Sequence, residues 1–230
     1  MEQKTLLKNK KNQGNGGDYG NEGNQMSHSE QMIENQFIQI LSEKENQWTY
    51  RPDLKSEEAL WQNFRSHLNR INLAVLGEKP LTDKEFKQVK VEFSRLTGTP
   101  FLASQWLRGE NGVAQILLER EDGKKVTLEA FRNKDISGGT SSYEVVHQVV
   151  PDSSRVDRGD VSLLINGLPI IHIELKKESA KDGFMQAYYQ IQRYAEDGFF
   201  KGIYATTQIM VISNKVDTRY FARPSEDTAE

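Results

Sequence analysis

The 230-residue chain is long enough for one substantial domain with extensions, and 36% of its residues are hydrophobic, which is adequate for a packed core. It contains no cysteine, which excludes disulfides, thiolate metal sites and a cysteine nucleophile, so any metal must be held by oxygen or imidazole ligands. The net charge of −3 gives no overall attraction to a polyanion, so a role with nucleic acid requires a local basic patch or a partner that holds the nucleic acid.

Neither a bilayer-spanning apolar run nor the apolar segment of a secretory signal is present in the sequence. We therefore expect a soluble, cytoplasmic protein without a membrane partner. Residues 1–29 are predicted to form a disordered polar tail, because the part from residue 8 onward is rich in Asn, Gly, Gln and Lys and almost free of apolar residues.

Helical patterns dominate the first half of the chain. A first helix is expected from about Glu30, with Glu34 in it and with an apolar stripe at helical spacing formed by Ile33, Phe37, Ile40 and Leu41. A helical segment follows over residues 56–110. Within it, Ser56 is placed to cap a helix that extends to about residue 73, and Thr82 with Glu85 forms a capping-box pattern.

Strand patterns dominate the second half. Residues 113–120 and 126–128 predict a β-hairpin closed around Asp122 and Gly123. Further strands are expected at 143–150, 202–205 and 209–213, and two more flank a turn at Asn166 and Gly167. The predicted fold class is α/β, a mixed central β-sheet flanked by helices, over residues 30–222, with 223–230 as the start of a linker.

Residues 158–194 carry the candidate chemistry. Asp160 lies before an apolar run, and the strand after the turn carries His172, Glu174 and Lys176 on one face, because side chains alternate along a strand. A base therefore shares a strand face with an acid.

Whether Asp160 joins that face depends on the register of the hairpin. A two-residue turn would put Asp160 opposite Ile173 and so on the other face from Glu174. A three-residue loop with Gly167 as a left-handed bulge residue would pair Leu164 with Leu168 and Asp160 with His172, which brings Asp160 and Glu174 to one face. We expect the second register.

Two carboxylates on one face repel each other unless a cation lies between them, and hard oxygen ligands in an open site suit Mg²⁺ or Mn²⁺. Lys176 would then stand beside the cation, where its charge can orient the attacking water and stabilise a pentacoordinate phosphate. These residues together indicate hydrolysis of a phosphodiester. The structural alternative is that Glu174 and Lys176 form an exposed ion pair worth at most about 1 kcal/mol.

The helix after this strand has polar residues at every fourth position. Gln186, Gln190 and Tyr194 line one face, which could meet phosphate or the catalytic lysine, or could equally be solvated. His172 could touch metal or phosphate, although a strand histidine satisfied by a neighbouring carboxylate is the commoner arrangement. The other histidines have no metal-ligand spacing, which argues against a zinc site.

Asp160, the Glu174-Leu175-Lys176 run and the Gln190-x-x-x-Tyr194 pattern together resemble the PD-(D/E)xK nuclease domain of the restriction (R) subunit of type I restriction-modification enzymes. The resemblance extends over residues 143–149 and 208–214, and more weakly to the first helix. It implies a restriction-endonuclease-like, RecB-like core and a DNA-cleaving endonuclease.

The resemblance also implies residue roles. Asp160 and Glu174 would be metal ligands for Mg²⁺, with Mn²⁺ as a substitute, Lys176 would activate the water, and Gln190 with Tyr194 would form the extra motif shared with RecB-like nucleases. Glu34 and His172 are further candidates for the site. Gly159 departs from the family, which usually has Pro there; since Pro would only stiffen the approach to the strand, we expect no loss of activity.

In that family the R subunit continues into an ATP-driven motor that translocates double-stranded DNA and assembles with modification and specificity subunits. No phosphate-binding loop occurs in these 230 residues, so ATP would act only through a motor domain absent from this sequence. Two alternatives remain open: a stand-alone RecB-like repair nuclease with the same residues, and a non-catalytic docking domain in which the acidic cluster is only solvated.

Overall fold

The computed structural model describes residues 28–43, 48–135, 139–152, 159–177, 182–214 and 216–223. The described helices are α1 (His28–Ser42), α2 (Glu57–Ile71), α3 (Leu73–Leu76), α4 (Asp83–Leu96), α5 (Pro100–Arg108) and α6 (Gly183–Glu196), with 3-10 helices at Asn133–Asp135 and Gly202–Thr206. The described strands are β1 (Thr49–Tyr50), β2 (Val113–Glu119), β3 (Lys125–Arg132), β4 (Tyr143–His147), β5 (Val161–Ile165), β6 (Leu168–Leu175), β7 (Ile209–Ser213) and β8 (Thr218–Ala222).

Six of these strands form one sheet in the order β1-β4-β5-β6-β7-β8, and β2 with β3 forms a separate antiparallel pair. The sheet is mixed, because β1 runs parallel to β4 and β6 parallel to β7, whereas the other neighbours are antiparallel. The prediction of an α/β fold with a mixed central sheet flanked by helices is confirmed.

Local sequence signals explain where α2, α4 and α5 begin. Ser56 caps α2 by accepting a hydrogen bond from Ala59 N–H, and Thr82 with Glu85 forms the complete capping box of α4, both as predicted. Thr99 caps α5, whose first residue is Pro100. The buried faces of α2, α4 and α5 meet in an aromatic cluster formed by Trp61, Phe64, Phe86, Phe93 and Trp106.

The central sheet is covered on both faces. On one face, Ile33 and Ile38 of α1 pack in a small core with β-strand residues that include Val145, Val161, Leu163, Ile173 and Leu175. The other face joins the main core, which also contains residues of α2 and α6. Because the faces alternate along β6, His172 and Glu174 belong to the α6 side of the sheet.

Several element boundaries differ from the predictions. The strand expected at 202–205 is a 3-10 helix, in which Gly202 has φ +55° and Thr206 donates from Oγ1 to the carbonyl oxygens of Pro169 and Ile203. The strand expected over 143–150 ends at His147, because Gln148 has φ +50°. Ile40, expected to be in the buried stripe of α1, is 56% exposed.

The ends of the chain lie largely outside the described residues. Helix α1 begins at His28, so the last two residues of the expected tail are helical, whereas residues 1–27 and 224–230 are not described. Residues 136–138 and 153–158 also lie outside the described ranges. Within the described ranges, no helix combines the length and apolar character needed to cross a membrane.

Candidate functional site

The hairpin of β5 and β6 has a different register from the one expected. Its loop has two residues, Asn166 and Gly167, both with positive φ (52° and 80°), so the expected three-residue loop and the pairing of Leu164 with Leu168 are wrong. A bulge then adds one residue, Ile170, to β6. Beyond the bulge the paired residues are Leu163 with Ile171, Ser162 with His172 and Val161 with Ile173.

The bulge decides which residues share a face. A two-residue turn without it would place Asp160 opposite Ile173 and away from Glu174. With the bulge, continuing the observed register by one residue places Asp160 opposite Glu174, and not opposite His172 as expected. The two acids therefore share a face, as predicted, but through a bulge in β6 and not through a longer loop.

The two carboxylates lie in a poorly solvated environment. Glu174 is fully buried, and Asp160 accepts a hydrogen bond of 2.7 Å from Leu175 N–H through Oδ2. Burial raises the pKa of Asp160 well above its ordinary value, and the negative charges of Glu174 and Glu34 raise it further. The Leu175 N–H and the Lys176 ammonium act in the opposite direction.

Lys176 connects the acids to helix α6. Its Nζ lies 3.9 Å from Glu174 Oε2 and donates a 2.6 Å hydrogen bond to Gln190 Oε1. The Gln190 amide in turn donates to the Tyr194 hydroxyl, and Tyr194 is buried. The structure therefore brings five of the predicted site residues into one connected group: Asp160, Glu174, Lys176, Gln190 and Tyr194.

The two further candidates differ in their contacts. Glu34 on α1 is fully buried, and its carboxylate accepts 2.8 Å hydrogen bonds from His147 and from the Gln148 amide. The negative charge of Glu34 raises the pKa of Asp160. Both of its carboxylate oxygens, however, are hydrogen-bonded, one to His147 at the end of β4 and the other to Gln148. His172 is fully buried and contacts Glu174 Oε1 through Nε2 at 3.1 Å, which agrees with the reading of a histidine satisfied by a neighbouring carboxylate. Burial lowers the pKa of His172 to about 4, so its ring is neutral near pH 7.

Sequence reasoning missed two residues of this region. Ser162 Oγ lies 3.2 Å from His172 Nδ1, and the hydroxyl of buried Tyr204 forms a hydrogen bond with Ser162. Strand alternation from Asp160 could have found Ser162, since both lie on one face of the same extended segment. No sequence signal placed Tyr204, because its segment was read as a strand.

The donor chemistry of the pair fits a divalent cation. Burial and the charge of Glu174 both raise the pKa of Asp160, and a cation between the two carboxylates would offset both effects. Oxygen ligands suit Mg²⁺ or Mn²⁺. Across the described part of the chain, no cluster of three or more His, Asp or Glu side chains has metal-binding geometry. The side chains alone therefore offer two carboxylate ligands, and water and phosphate oxygens would have to complete the coordination.

The fold and the site define a class of protein: a mixed α/β domain of the restriction-endonuclease-like type, with two acids and a lysine at its central hairpin. The family model described as the type I restriction enzyme R protein N terminus matches residues 27–229. The chain belongs to this family.

Curated relatives agree with that membership. The chain is 30% identical over 194 residues to the type I restriction enzyme SauMSSORF170P endonuclease subunit of Staphylococcus aureus, an alignment that covers 84% of this chain and 19% of the relative. It is 31% identical over 169 residues to the SsaAORF53P endonuclease subunit of Staphylococcus saprophyticus, covering 74% and 17%. For the EcoprrI endonuclease subunit of Escherichia coli the identity is 27% over 210 residues, covering 86% and 60%. The chain thus spans about a fifth of the length of the two staphylococcal relatives.

Proposed function

We propose that this chain is the DNA-cleaving domain of a type I restriction enzyme R subunit and that it hydrolyses phosphodiester bonds of double-stranded DNA with Mg²⁺. The observation that carries the proposal is the meeting of Asp160, Glu174 and Lys176 on one face of the bulged hairpin. Membership of the R-protein family supports it.

In this proposal Asp160 and Glu174 hold the metal. A bound Mg²⁺ supplies a more acidic water and neutralises charge on the phosphate. Lys176 orients the attacking water and stabilises the negative charge that develops on the phosphorus oxygens. Gln190 accepts a hydrogen bond from Lys176 and thereby fixes the position of its ammonium group, and Tyr194 fixes Gln190 in turn.

The wider setting is also a proposal. The net charge of −3 gives the chain no overall attraction to DNA, so we propose that an ATP-driven motor region of the same subunit and the modification and specificity subunits hold and deliver the DNA. Cleavage would then need no sequence recognition by this domain. Such a complex would act in the cytoplasm.

The lysine tests the catalytic assignment. Lys176→Ala in the complete R subunit, assembled with its partner subunits, should abolish DNA cleavage while ATP-driven translocation continues, because the substitution removes only the group beside the reacting phosphate. Lys177→Ala is the matched control, since it removes the neighbouring lysine of the same strand end. Cleavage that persists in Lys176→Ala would show that the site is not catalytic.

The metal assignment is tested on the 230-residue chain by calorimetric titration with Mn²⁺. Binding should be present in the parent chain and be lost in Asp160→Asn, which keeps the size of the side chain but removes its charge. A parent chain that binds no Mn²⁺ would favour the non-catalytic docking domain.

A further inference from the structure

The imidazole of His172 occupies the centre of a buried aromatic pocket beside the two acids. Its ring centroid lies 6.1 Å from that of Tyr194, 5.2 Å from that of Phe199 and 5.5 Å from that of Phe200. The residue has no exposed surface. A ring enclosed in this way has one orientation, so both of its nitrogens point in fixed directions.

Hydrogen-bonding rules assign a direction to each contact of this ring. An ionised carboxylate can only accept, so Nε2–H donates to Glu174 Oε1. In a neutral ring Nδ1 must then accept, and the Ser162 hydroxyl is its donor. The Tyr204 hydroxyl is a further hydrogen-bond partner of Ser162. The protons therefore point one way along the hydrogen-bonded series Ser162, His172 and Glu174.

This series of hydrogen bonds orients the carboxylate of Glu174. Oε1 is held by His172, and Oε2 is the oxygen that lies 3.9 Å from Lys176 Nζ. The carboxylate is thus oriented with one oxygen toward the buried histidine and the other toward the catalytic face. Rotation that would present both oxygens to a cation would break the hydrogen bond to the histidine.

The same imidazole packs against the backbone that leads to the second acid. A Cβ atom added to Gly159 would lie 2.3 Å from His172 Cε1 and 2.8 Å from Phe199 Cζ. Neither ring can yield easily, because both are buried on all sides. The ring therefore fills the space beside the residue that precedes Asp160, and it touches both arms of the hairpin.

We propose that His172 is a positioning residue that makes Glu174 a one-oxygen metal ligand and sets the spacing between Glu174 and Asp160. The inference rests on the proposed function of the site. One-oxygen carboxylate binding suits the small octahedral shell of Mg²⁺ or Mn²⁺, whereas Ca²⁺ often takes both oxygens of a carboxylate. His172 would therefore contribute to metal selectivity.

The first test measures the proton on the ring of the parent chain. Long-range ¹H–¹⁵N correlation spectra of the histidine side chains should show His172 as the Nε2–H tautomer, and only four histidines need to be distinguished. The Nδ1–H tautomer would overturn the proposal, because the ring could then not donate to Glu174.

The second test separates the two nitrogens. His172→Gln places an amide near the position of Nε2 and can still donate to Glu174, whereas His172→Asn places the same amide near the position of Nδ1 and can reach only Ser162. Mn²⁺ affinity, measured by calorimetry on the folded 230-residue chains, should stay close to that of the parent in His172→Gln and fall by about 10–100-fold in His172→Asn. The preference for Mn²⁺ over Ca²⁺ should fall in His172→Asn as well.

The outcomes distinguish this inference from the proposed function. Equal Mn²⁺ affinity and selectivity in the parent and in His172→Asn would overturn the positioning role while leaving the nuclease proposal intact. Absence of Mn²⁺ binding in the parent chain would overturn the proposed function. If His172→Asn does not fold, the tautomer of the parent and the metal preference of Ser162→Ala decide, since loss of the Ser162 donor should also weaken the selectivity.

Discussion

Two acids of the central sheet, half-buried Asp160 and buried Glu144, have opposite electrostatic environments. Burial also raises the pKa of Glu144, but hydrogen bonds and charges from His67, Asn63 and Arg51 outweigh it and leave the pKa below its ordinary value. Asp160 has no comparable compensation, and its pKa is raised well above the ordinary value. The contrast indicates that Glu144 has a structural role, whereas Asp160 belongs to a site that a cation would stabilise.

Glu144 should make stability depend on pH. Its folded-state pKa is below the ordinary value of 4.5, so the unfolded chain binds the proton more readily and the contribution to stability is present above about pH 4.5. It is lost as the pH falls through the folded-state pKa. Glu144→Gln should therefore cost about 3 kcal/mol at pH 7, and the difference should shrink in acid.

Urea unfolding of both chains from pH 3 to 7 measures this difference, with Glu119→Gln, which changes an exposed glutamate, as the control. A difference between Glu144→Gln and the parent that is constant over this pH range would contradict the assignment.

Gly159 should tolerate no side chain while His172 is present. Gly159→Ala should cost about 1–3 kcal/mol of unfolding free energy, because the new Cβ would overlap the imidazole. Gly98→Ala is a matched control, since its Cβ meets only the Ser94 carbonyl oxygen at 3.6 Å, and it should change stability by less than about 0.5 kcal/mol. Chemical denaturation measures both values.

A double-mutant cycle tests whether His172 is the residue that the new Cβ at position 159 overlaps. If the overlap with the imidazole is the cause, the cost of Gly159→Ala should be smaller by at least about 0.5 kcal/mol when His172 is already alanine. Strict additivity would mean that Phe199, and not His172, limits position 159. The sequence-based expectation about this glycine considered only proline stiffness, and the packing against a histidine distant in sequence was not accessible to it.

At the scale of elements, the β5–β6 hairpin shows where sequence reasoning reached its limit. The Asn166-Gly167 signal correctly located the turn, and strand alternation correctly grouped Glu174 with Lys176. The turn signal alone did not reveal the bulge, which coincides with Pro169 inside the hairpin and with contacts from outside it. Pro169 has no N–H for a regular ladder, and its carbonyl oxygen accepts from Thr206 Oγ1, while the Ile170 carbonyl oxygen accepts from Gln208 N–H.

The helices illustrate the opposite case. Caps and apolar stripes in α2 and α4 are local signals, and both helices begin where those signals predicted. Strand β8 has no such signal, since four of its five residues are exposed and only pairing with β7 defines it. Strand β7, which is held by the same kind of pairing, was predicted because its run of apolar residues is visible in the sequence.

The turn residue Asn166 should be sensitive to both backbone and side-chain changes. Its φ is +52°, and its Oδ1 accepts a 3.0 Å hydrogen bond from Ser142 N–H. Asn166→Ala should cost about 2–4 kcal/mol, from left-handed strain and an unpaired amide. Asn166→Gly relieves the left-handed strain but still leaves the Ser142 N–H unpaired, so it should cost about 1–2 kcal/mol less than Asn166→Ala. Thermal or urea unfolding that ranks the two variants equally would show that the backbone conformation contributes little.

At the scale of the whole molecule, the candidate catalytic residues belong to a chain of low net charge. The formal charge of −3 comes from 33 acidic and 30 basic residues, so no overall positive field draws DNA to the site. The proposed division of labour follows, in which this domain supplies the reacting groups and other parts of the enzyme supply affinity for DNA.

The affinity of the isolated chain for DNA should reflect that division of labour. The 230-residue chain carrying Lys176→Ala, which we expect to prevent cleavage, should bind a short DNA duplex no more tightly than about 10⁻⁶ M at physiological salt. Fluorescence anisotropy of a labelled duplex measures this affinity, and the complete R subunit with its partners is the comparison. Nanomolar binding by the isolated chain would mean that it holds DNA by itself.

The bulge at Ile170 also limits how this hairpin can change in evolution. Side chains alternate with a period of two along a strand, so gain or loss of one residue between the turn and Glu174 would move the side chains of Glu174 and Lys176 to the other face of the sheet. Most substitutions in this stretch would leave the direction of these side chains unchanged. Surviving length changes in related sequences should therefore come in pairs or be matched by loss of the bulge. Single-residue gaps should fall instead in loops such as the Asp122-Gly123 turn, where an added residue alters no catalytic side chain.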